Sequence, residues 1–302
     1  MIIVHPVLSG KITDAVTGDN MSGVNLYYTS GINKNFTWRT GTYFGQTNEN
    51  GVWSLPNSNY PSSISRGWYT IMSNKSGYYK DYHNAEVCGD KPNQDNALSA
   101  KLNEGEMRIM LKWPITNPVT AIDLDSHLYI PIIEIDSPRN SDCDGDSNAG
   151  DKCHLNYRTN QLNAAVYNGV VTYDYHIYTD IVSTGDNVTL DKDHNVNSSP
   201  ASPPGDETIT ISKVRSGTYS FSVHNYTDKD NNTANYKTNL SKSRAKVKVF
   251  YNNGGTLVRK RFHVPNDNGT LWRVFTFSTS GSGSGFTRVR TMTYESSRRN
   301  VY

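Results

Sequence analysis

Short runs that alternate apolar and polar residues, each ended by turn formers, constrain this chain more than any other feature. Glu207-Thr-Ile-Thr-Ile211, Gly217-Thr-Tyr-Ser-Phe-Ser-Val-His-Asn-Tyr226, Tyr173-Asp-Tyr-His-Ile-Tyr178, Ala245 to Tyr251 and Trp272 to Phe277 all follow the pattern. Strand side chains point to opposite faces in turn, so a period of two gives one core face and one solvent face. The composition agrees: the strong helix formers Ala, Leu and Glu are scarce, while 20 Tyr and 23 Gly sit among abundant Asn, Ser and Thr. A chain of 302 residues can bury a proper core and by usual domain size forms about two domains. The expectation is an all-β chain of two tandem β-sandwiches with strand-like extensions at its ends.

Turn signals and composition shifts place the boundaries. Residues 1–8 read as an N-terminal strand extension and 9–104 as the first sandwich. The polar stretch Cys88 to Ala97 leads toward the second sandwich, 105–278, which carries an insertion at 130–171. Residues 279–302 hold the linker Gly281-Ser-Gly-Ser-Gly285 and a strand-like tail. A formal net charge of +2 with dispersed basic residues gives no reason to expect nucleic acid or an anionic membrane as partner. No stretch is long and apolar enough to span a bilayer. Met1-Ile-Ile-Val-His-Pro-Val-Leu8 is too short, and lacks the basic start, for a signal peptide. A leader removed before the numbering begins, or never recorded, would account for this.

Two groups of motifs carry resemblances. Gly10-Lys-Ile-Thr-Asp14, Thr17-Gly18, Gly23-Val24, Thr47-Asn-Glu-Asn-Gly51-Val-Trp53, Gly67-Trp-Tyr69 and Gly77-Tyr78 resemble carboxypeptidase regulatory-like domains, which are transthyretin-like seven-stranded sandwiches. That resemblance implies a non-catalytic spacer or adhesive module of a secreted or surface protein. Met107 to Trp113, Asp123 to Leu128, His176, Leu190-Asp-Lys-Asp193, Glu207 to Ile211, Gly217 to Tyr226 and Trp272-Arg-Val-Phe275 look like a family of secreted bacterial β-sandwich domains of unassigned function. It implies an extracytoplasmic domain and brings no established activity; both sandwiches are read as immunoglobulin-like or transthyretin-like. The chain departs from that pattern where Ile130 to Val171 intervenes.

The chemistry-bearing residues are mostly oxygen donors. Asp123, Asp125 and His127 alternate along one predicted strand and so share a face, as do Asp191 and Asp193 on another. If those strands are neighbours, four carboxylates converge and need a cation, water or basic side chains to neutralise them. The competing reading is that each aspartate hydrogen-bonds turn amides. Inside the insertion, Asn140, Asp142, Asp144, Asp146, Asn148 and Asp151 fall at positions 1, 3, 5, 7, 9 and 12 of a calcium loop, with Gly145 at position 6. Position 1 is Asn, position 12 is the shorter Asp, and no helices flank the loop. Ca2+ is the expected cofactor, in a structural role, at the affinities of about 0.1 to 1 mM typical of extracellular modules.

Histidine-rich chemistry has less support from spacing. His127, His176 and His224 fall in the second sandwich and would suit zinc or iron beside the aspartates. Yet no His-x-x-x-His, His-Glu-x-x-His or Cys-x-x-Cys spacing occurs, nor a Gly-x-Ser-x-Gly elbow or phosphate loop. Cys143 and Cys153 flank the acidic loop and could close it as a disulfide, whereas Cys88 has no obvious partner. Three cysteines permit three single pairings. Nine Asn-x-Ser/Thr triplets occur, at Asn20, Asn35, Asn74, Asn187, Asn197, Asn225, Asn231, Asn239 and Asn268, where chance alone gives roughly six. They are candidate glycosylation sites.

The ends suggest assembly. Ile2, Ile3, Val4, Val7 and Leu8 are too apolar to wave in water, and Phe286 to Tyr294 is strand-like behind its linker. Either end can complete the open edge of another copy's sheet, and a head-to-tail contact that does not close yields a filament. The alternative is that each end pairs with its own domain, or that the C-terminus is disordered. The expected function is a secreted, cell-surface, non-catalytic structural protein: a pilus-like filament subunit or adhesin built by donor-strand exchange and stabilised by calcium. Its partners would be copies of itself, with glycans or cell-surface polymers. A metal-dependent hydrolase using Asp123, Asp125, His127 and Asp191 is the second reading. A carbohydrate-binding module presenting Trp38, Trp53 or Trp68 as coplanar exposed aromatics is the third.

Overall fold

The alternation read from the sequence becomes pairing in the first strand, β1 (Leu8–Asp14), where buried and half-buried residues alternate from Leu8 to Ile12. The computed structural model describes residues 6–56, 64–114, 123–131, 152–155, 165–167, 170–172, 176–178, 187–194, 205–230, 238–279, 285–297 and 301. The chain divides into two compact units, Met1–Lys101 and Leu102–Tyr302. Both are β-sandwiches.

In the first unit, β1 lies between β4 (Val52–Leu55) and β7 (Asn96–Leu98). The facing sheet runs β3 (Thr42–Gln46), β2 (Asn25–Ser30), β5 (Gly67–Asn74), β6 (Asp81–Val87). Leu8, Ile12, Leu26, Phe44, Trp53, Ile71 and Val87 fill the space between them. Phe44 meets the Trp53 ring edge-on at 5.7 Å, a favoured aromatic geometry. Trp53 is therefore a core residue and not an exposed platform for a sugar. Gly51 has φ +72, and a Cβ there would sit 2.6 Å from the Ile12 carbonyl oxygen, so the turn into β4 requires glycine.

The N-terminal assembly reading changes here as well. Leu8 is fully buried and pairs with Leu55. The Val7 N–H donates to Asp90 Oδ1 at 2.9 Å, and its carbonyl accepts from Lys91 N at 2.8 Å. Val7 and Leu8 belong to their own sandwich because the Leu8 side chain is part of its core. Ile2, Ile3 and Val4 lie outside the described residues.

In the second unit one sheet runs β13 (His176–Tyr178), β14 (Asn187–Lys192), β15 (Gly205–Ile211), β8 (Met107–Trp113), β17 (Lys246–Asn253), β18 (Thr256–His263). The other runs β10 (Lys152–Leu155), β9 (Leu124–Pro131), β16 (Thr218–Asn225), β19 (Leu271–Ser278), β20 (Gly285–Thr293). A small ladder of β11 (Ala165–Tyr167) and β12 (Val170–Thr172) stands apart, and a helical turn covers Asn239–Lys242. Met107, Ile109, Leu111 and Trp113 of β8 face Leu124, Leu128, Phe221 and Phe275 across the core. Gly205 passes under Trp113, and a Cβ there would lie 2.0 Å from the indole. The tail strand β20 pairs with β19 of its own unit, and Phe286 packs on Phe277 at 4.5 Å.

Candidate metal centre

Strand β9 sorts its residues by parity. Leu124, Leu128 and Ile130 enter the core, so Asp125, His127 and Tyr129 take the opposite face. Strand β16 is hydrogen-bonded to β9 with His224 opposite Asp125 and Ser222 opposite His127. Directly opposed side chains of an antiparallel pair lie about 5 Å apart, and one donor atom from each of Asp125, His127 and His224 falls within 4.8 Å of the others. The three residues are 4%, 0% and 0% exposed, so this is an interior site. The His127 and His224 rings meet edge to face at 5.6 Å.

A segment after β20 closes the site. His224 Nε2 lies 3.0 Å from the Glu295 carbonyl oxygen, which can only accept, so Nε2 carries the proton. His224 Nδ1 has no hydrogen-bond partner. Burial lowers the pKa of this imidazole, partly offset by its hydrogen bond to the Glu295 carbonyl. Neutral His224 thus presents a bare, buried lone pair. The backbone at Glu295 is fixed through Thr270, whose hydroxyl donates to Glu295 O at 2.7 Å and accepts from Glu295 N at 2.9 Å.

Asp125 also belongs to a second group, with Asp193 and Glu207, whose donor atoms again lie within 4.8 Å of one another. Among the described residues, strand β10 pairs with β9 from Leu128 to Pro131, short of Ser126. Glu207 reaches there from the facing sheet, and the Ser126 N–H donates to its Oε2 at 2.6 Å. Glu207 is 1% exposed and its Oε1 has no hydrogen-bond partner. Burial, then the charges of Asp125 and Asp193, holds the Glu207 acid well above the ordinary carboxylate range. Burial, then Asp193, pushes Asp123 up to about 7. Both shifts have the cause expected for like charges packed away from water.

Of the four carboxylates predicted to converge, Asp125 and Asp193 meet, joined by Glu207; Asp123 and Asp191 are not in that group, although the charge of Asp193 reaches Asp123. Asp191 and Asp193 do not share a face, because the pairing of β14 with β15 shifts between Leu190 and Lys192. A bulge of this kind puts an extra residue on one side. Asp191 accepts the hydroxyl of Thr210, which points outward between the core residues Ile209 and Ile211. Lys192 faces outward too, pairing with Asp206 at 2.8 Å. Asp193 comes within 4.8 Å of Asp125 and Glu207, and Glu207 takes the place expected for Asp191. This removes Asp191 from the site on which the hydrolase reading relied. The sequence signal for Glu207 was available: it shares parity with Ile209 and Ile211, so a carboxylate sat on a core face.

The remaining expectations divide between the described residues and the rest. The loop of Asn140, Asp142, Asp144, Asp146, Asn148 and Asp151 lies outside the described residues, as do Cys143, Asn197 and Asn231. Cys88 is exposed with a free thiol. Asn20, Asn35 and Asn268 are exposed. Asn225 and Asn239 are buried, and both amides donate to Asp228, at 2.7 and 3.0 Å. A glycan on either would break that network, so the glycosylation reading does not extend to them. Trp38 and Trp68 are exposed, at 58% and 48%. Among the described residues, no helix is long and apolar enough to cross a membrane.

Comparisons with known proteins add the following. No family model matches the chain, and no curated protein matches it in sequence. Among solved structures, a 5-hydroxyisourate hydrolase from Klebsiella pneumoniae is similar over 32% of this chain and 91% of its own, at 15% identity and a TM-score of 0.24. BcpA, the major pilin subunit of Bacillus cereus, is similar over 85% of this chain and 67% of its own, at 9% identity and a TM-score of 0.24. A carbohydrate-binding protein from Bacteroides uniformis, so described provisionally in its name, is similar over 73% and 88%, at 11% identity and a TM-score of 0.19. Likenesses this distant transfer no function to the chain.

Proposed function

We propose that this chain is a non-catalytic structural protein of the cell exterior, a surface scaffold or filament subunit whose second sandwich is clasped by calcium at Asp125, Asp193 and Glu207. The observation that carries the reading is the meeting of these three carboxylates from two facing sheets within 4.8 Å. Packed carboxylates repel one another unless a proton or a cation neutralises them, and a set made only of oxygen donors favours a hard ion such as Ca2+. The neighbouring cation, Lys192, is engaged by Asp206 on the outer face. An ion here would join β9 of one sheet to β14 and β15 of the other. Asp125 and Glu207 are buried, which supports a holding role, since structural sites are closed while catalytic ones keep an open position.

The test is calorimetric titration of the chelator-stripped chain with calcium. Glu207→Gln and Asp193→Asn are each expected to bind one calcium fewer than the natural sequence, whatever the loop at 140–151 contributes. Equal stoichiometry in all three proteins rejects the calcium clasp. Assembly is tested separately. Because Leu8 is core, the informative deletion stops at His5, and removal of Met1 to His5 should leave both sandwiches folded while abolishing oligomers on a sizing column. Unchanged oligomers reject strand exchange by that segment.

A further inference from the structure

The carboxylate group does not account for the two imidazoles beside it. We propose that Asp125, His127 and His224 hold a transition-metal ion of the zinc class, a site chemically distinct from the calcium clasp. The inference goes beyond the calcium reading and stands or falls without it, because it rests on nitrogen donors that a hard cation does not select.

Three observations converge. The ladder places His224 directly across from Asp125, with His127 two residues along the same face, and one donor atom of each lies within 4.8 Å of the others. A cation bound at about 2.0 to 2.2 Å from its ligands spans such a gap once the side chains close on it. His224 Nδ1 is a fully buried nitrogen without a hydrogen-bond partner. A lone pair in that state costs free energy unless something binds it. Finally, the opposite nitrogen of the ring meets a backbone carbonyl, Glu295 O, at 3.0 Å. Metal-ligating histidines are oriented this way, with the second ring nitrogen donating to a carbonyl or carboxylate so that the first is fixed as the donor to the ion.

The donor set also narrows the ion. Two imidazoles and one carboxylate suit zinc, and suit iron where coordination positions stay open to solvent. Here the three residues are almost wholly buried and the Glu295 segment lies against the ring of His224. A closed structural zinc fits those facts better than a reactive iron. A tetrahedral shell needs a fourth donor, and the carboxylate group that shares Asp125 is a source of one. In chemical terms the site takes a divalent d-block cation, and its contribution is to pin β9, β16 and the segment after β20 together.

The experiment uses the full chain, stripped of metal and then titrated with Co2+, whose visible absorption reports four-coordinate binding. A tetrahedral cobalt spectrum that saturates at one equivalent and is displaced by Zn2+ but not by millimolar Ca2+ is the expected result. His224→Ala is expected to weaken cobalt binding at least roughly tenfold. No cobalt spectrum in the folded natural sequence, or displacement by calcium, overturns the proposal. Should His224→Ala fail to fold, X-ray absorption at the zinc edge of the natural protein decides the matter: two imidazole ligands support the assignment, and none overturns it. Loss of calcium binding with retained cobalt would instead count against the clasp alone.

Discussion

The two sandwiches treat buried charge in opposite ways. In the first, the buried carboxylate Asp81 receives the Asn96 amide at 2.9 Å. The buried Thr47 hydroxyl accepts from Val24 N and donates to the Met21 carbonyl. In the second, Glu207 is buried beside Asp125 and Asp193, and its Oε1 finds no protein donor. The first sandwich thus meets its buried carboxylate with an amide donor, as buried polar atoms generally are met. The second crowds carboxyl groups together, and the Glu207 acid is held well above the ordinary carboxylate range as a result.

The sharpest way to break this comparison is to damage the second core and ask whether the first responds. Trp113 is fully buried, and Trp113→Ala is expected to destabilise its unit by about 3 to 5 kcal/mol. In scanning calorimetry the second sandwich's transition should fall by many degrees while the first stays put. A common shift of both would show that the units do not unfold separately. Calcium sharpens the contrast from the other side: at a concentration 100-fold above its Kd, the second transition should gain about 2.7 kcal/mol and the first nothing. Chelator should reverse it.

Glu207→Gln keeps the shape and the Ser126 hydrogen bond while removing the ionisable carboxyl. In chelator near pH 8 the variant is expected to be more stable than the natural sequence by about 1 to 3 kcal/mol. In saturating calcium the order should invert, and urea unfolding in the two buffers measures both. A related effect follows from Asp123, whose acid stands at about 7 in the fold against an ordinary 3.8. The native state then binds more protons than the unfolded chain between those values, so this group's contribution is full below about pH 4 and lost as pH rises through 7. Metal-free protein should therefore weaken across that window, and calcium should flatten the slope. The smallest effect belongs to the surface of the first unit: Trp68→Ala, at a half-exposed site, should change stability by no more than about 0.5 kcal/mol. A larger loss would mean that Trp68 packs as more than a surface ring.

Much of the architecture was legible because strand parity is a strict rule. The runs around Ile209, Phe221 and Phe275 became core strands on the faces their alternation assigned. The pairing of Asp125 with His127 on one face followed from the same rule. What escaped was each place where parity is broken or read too loosely. A bulge at Leu190 and Lys192 separates Asp191 from Asp193, and a shift of pairing leaves no mark in the order of residues. Glu207 escaped for another reason, since its core parity was visible but a carboxylate is expected in water. The seating of Val7 and Leu8 escaped because an apolar end suits a stranger's sheet as well as its own. Only the register with Leu55 and Lys91 decides between them.

The carbonyl of Glu295 that orients His224 is 71 residues further along the chain. Synthesis delivers β9 and β16 long before that oxygen, so a growing polypeptide would carry the ring unoriented until Glu295 emerges. Capture of the ion would then mark completion, a late lock on a sandwich whose sheets had already formed.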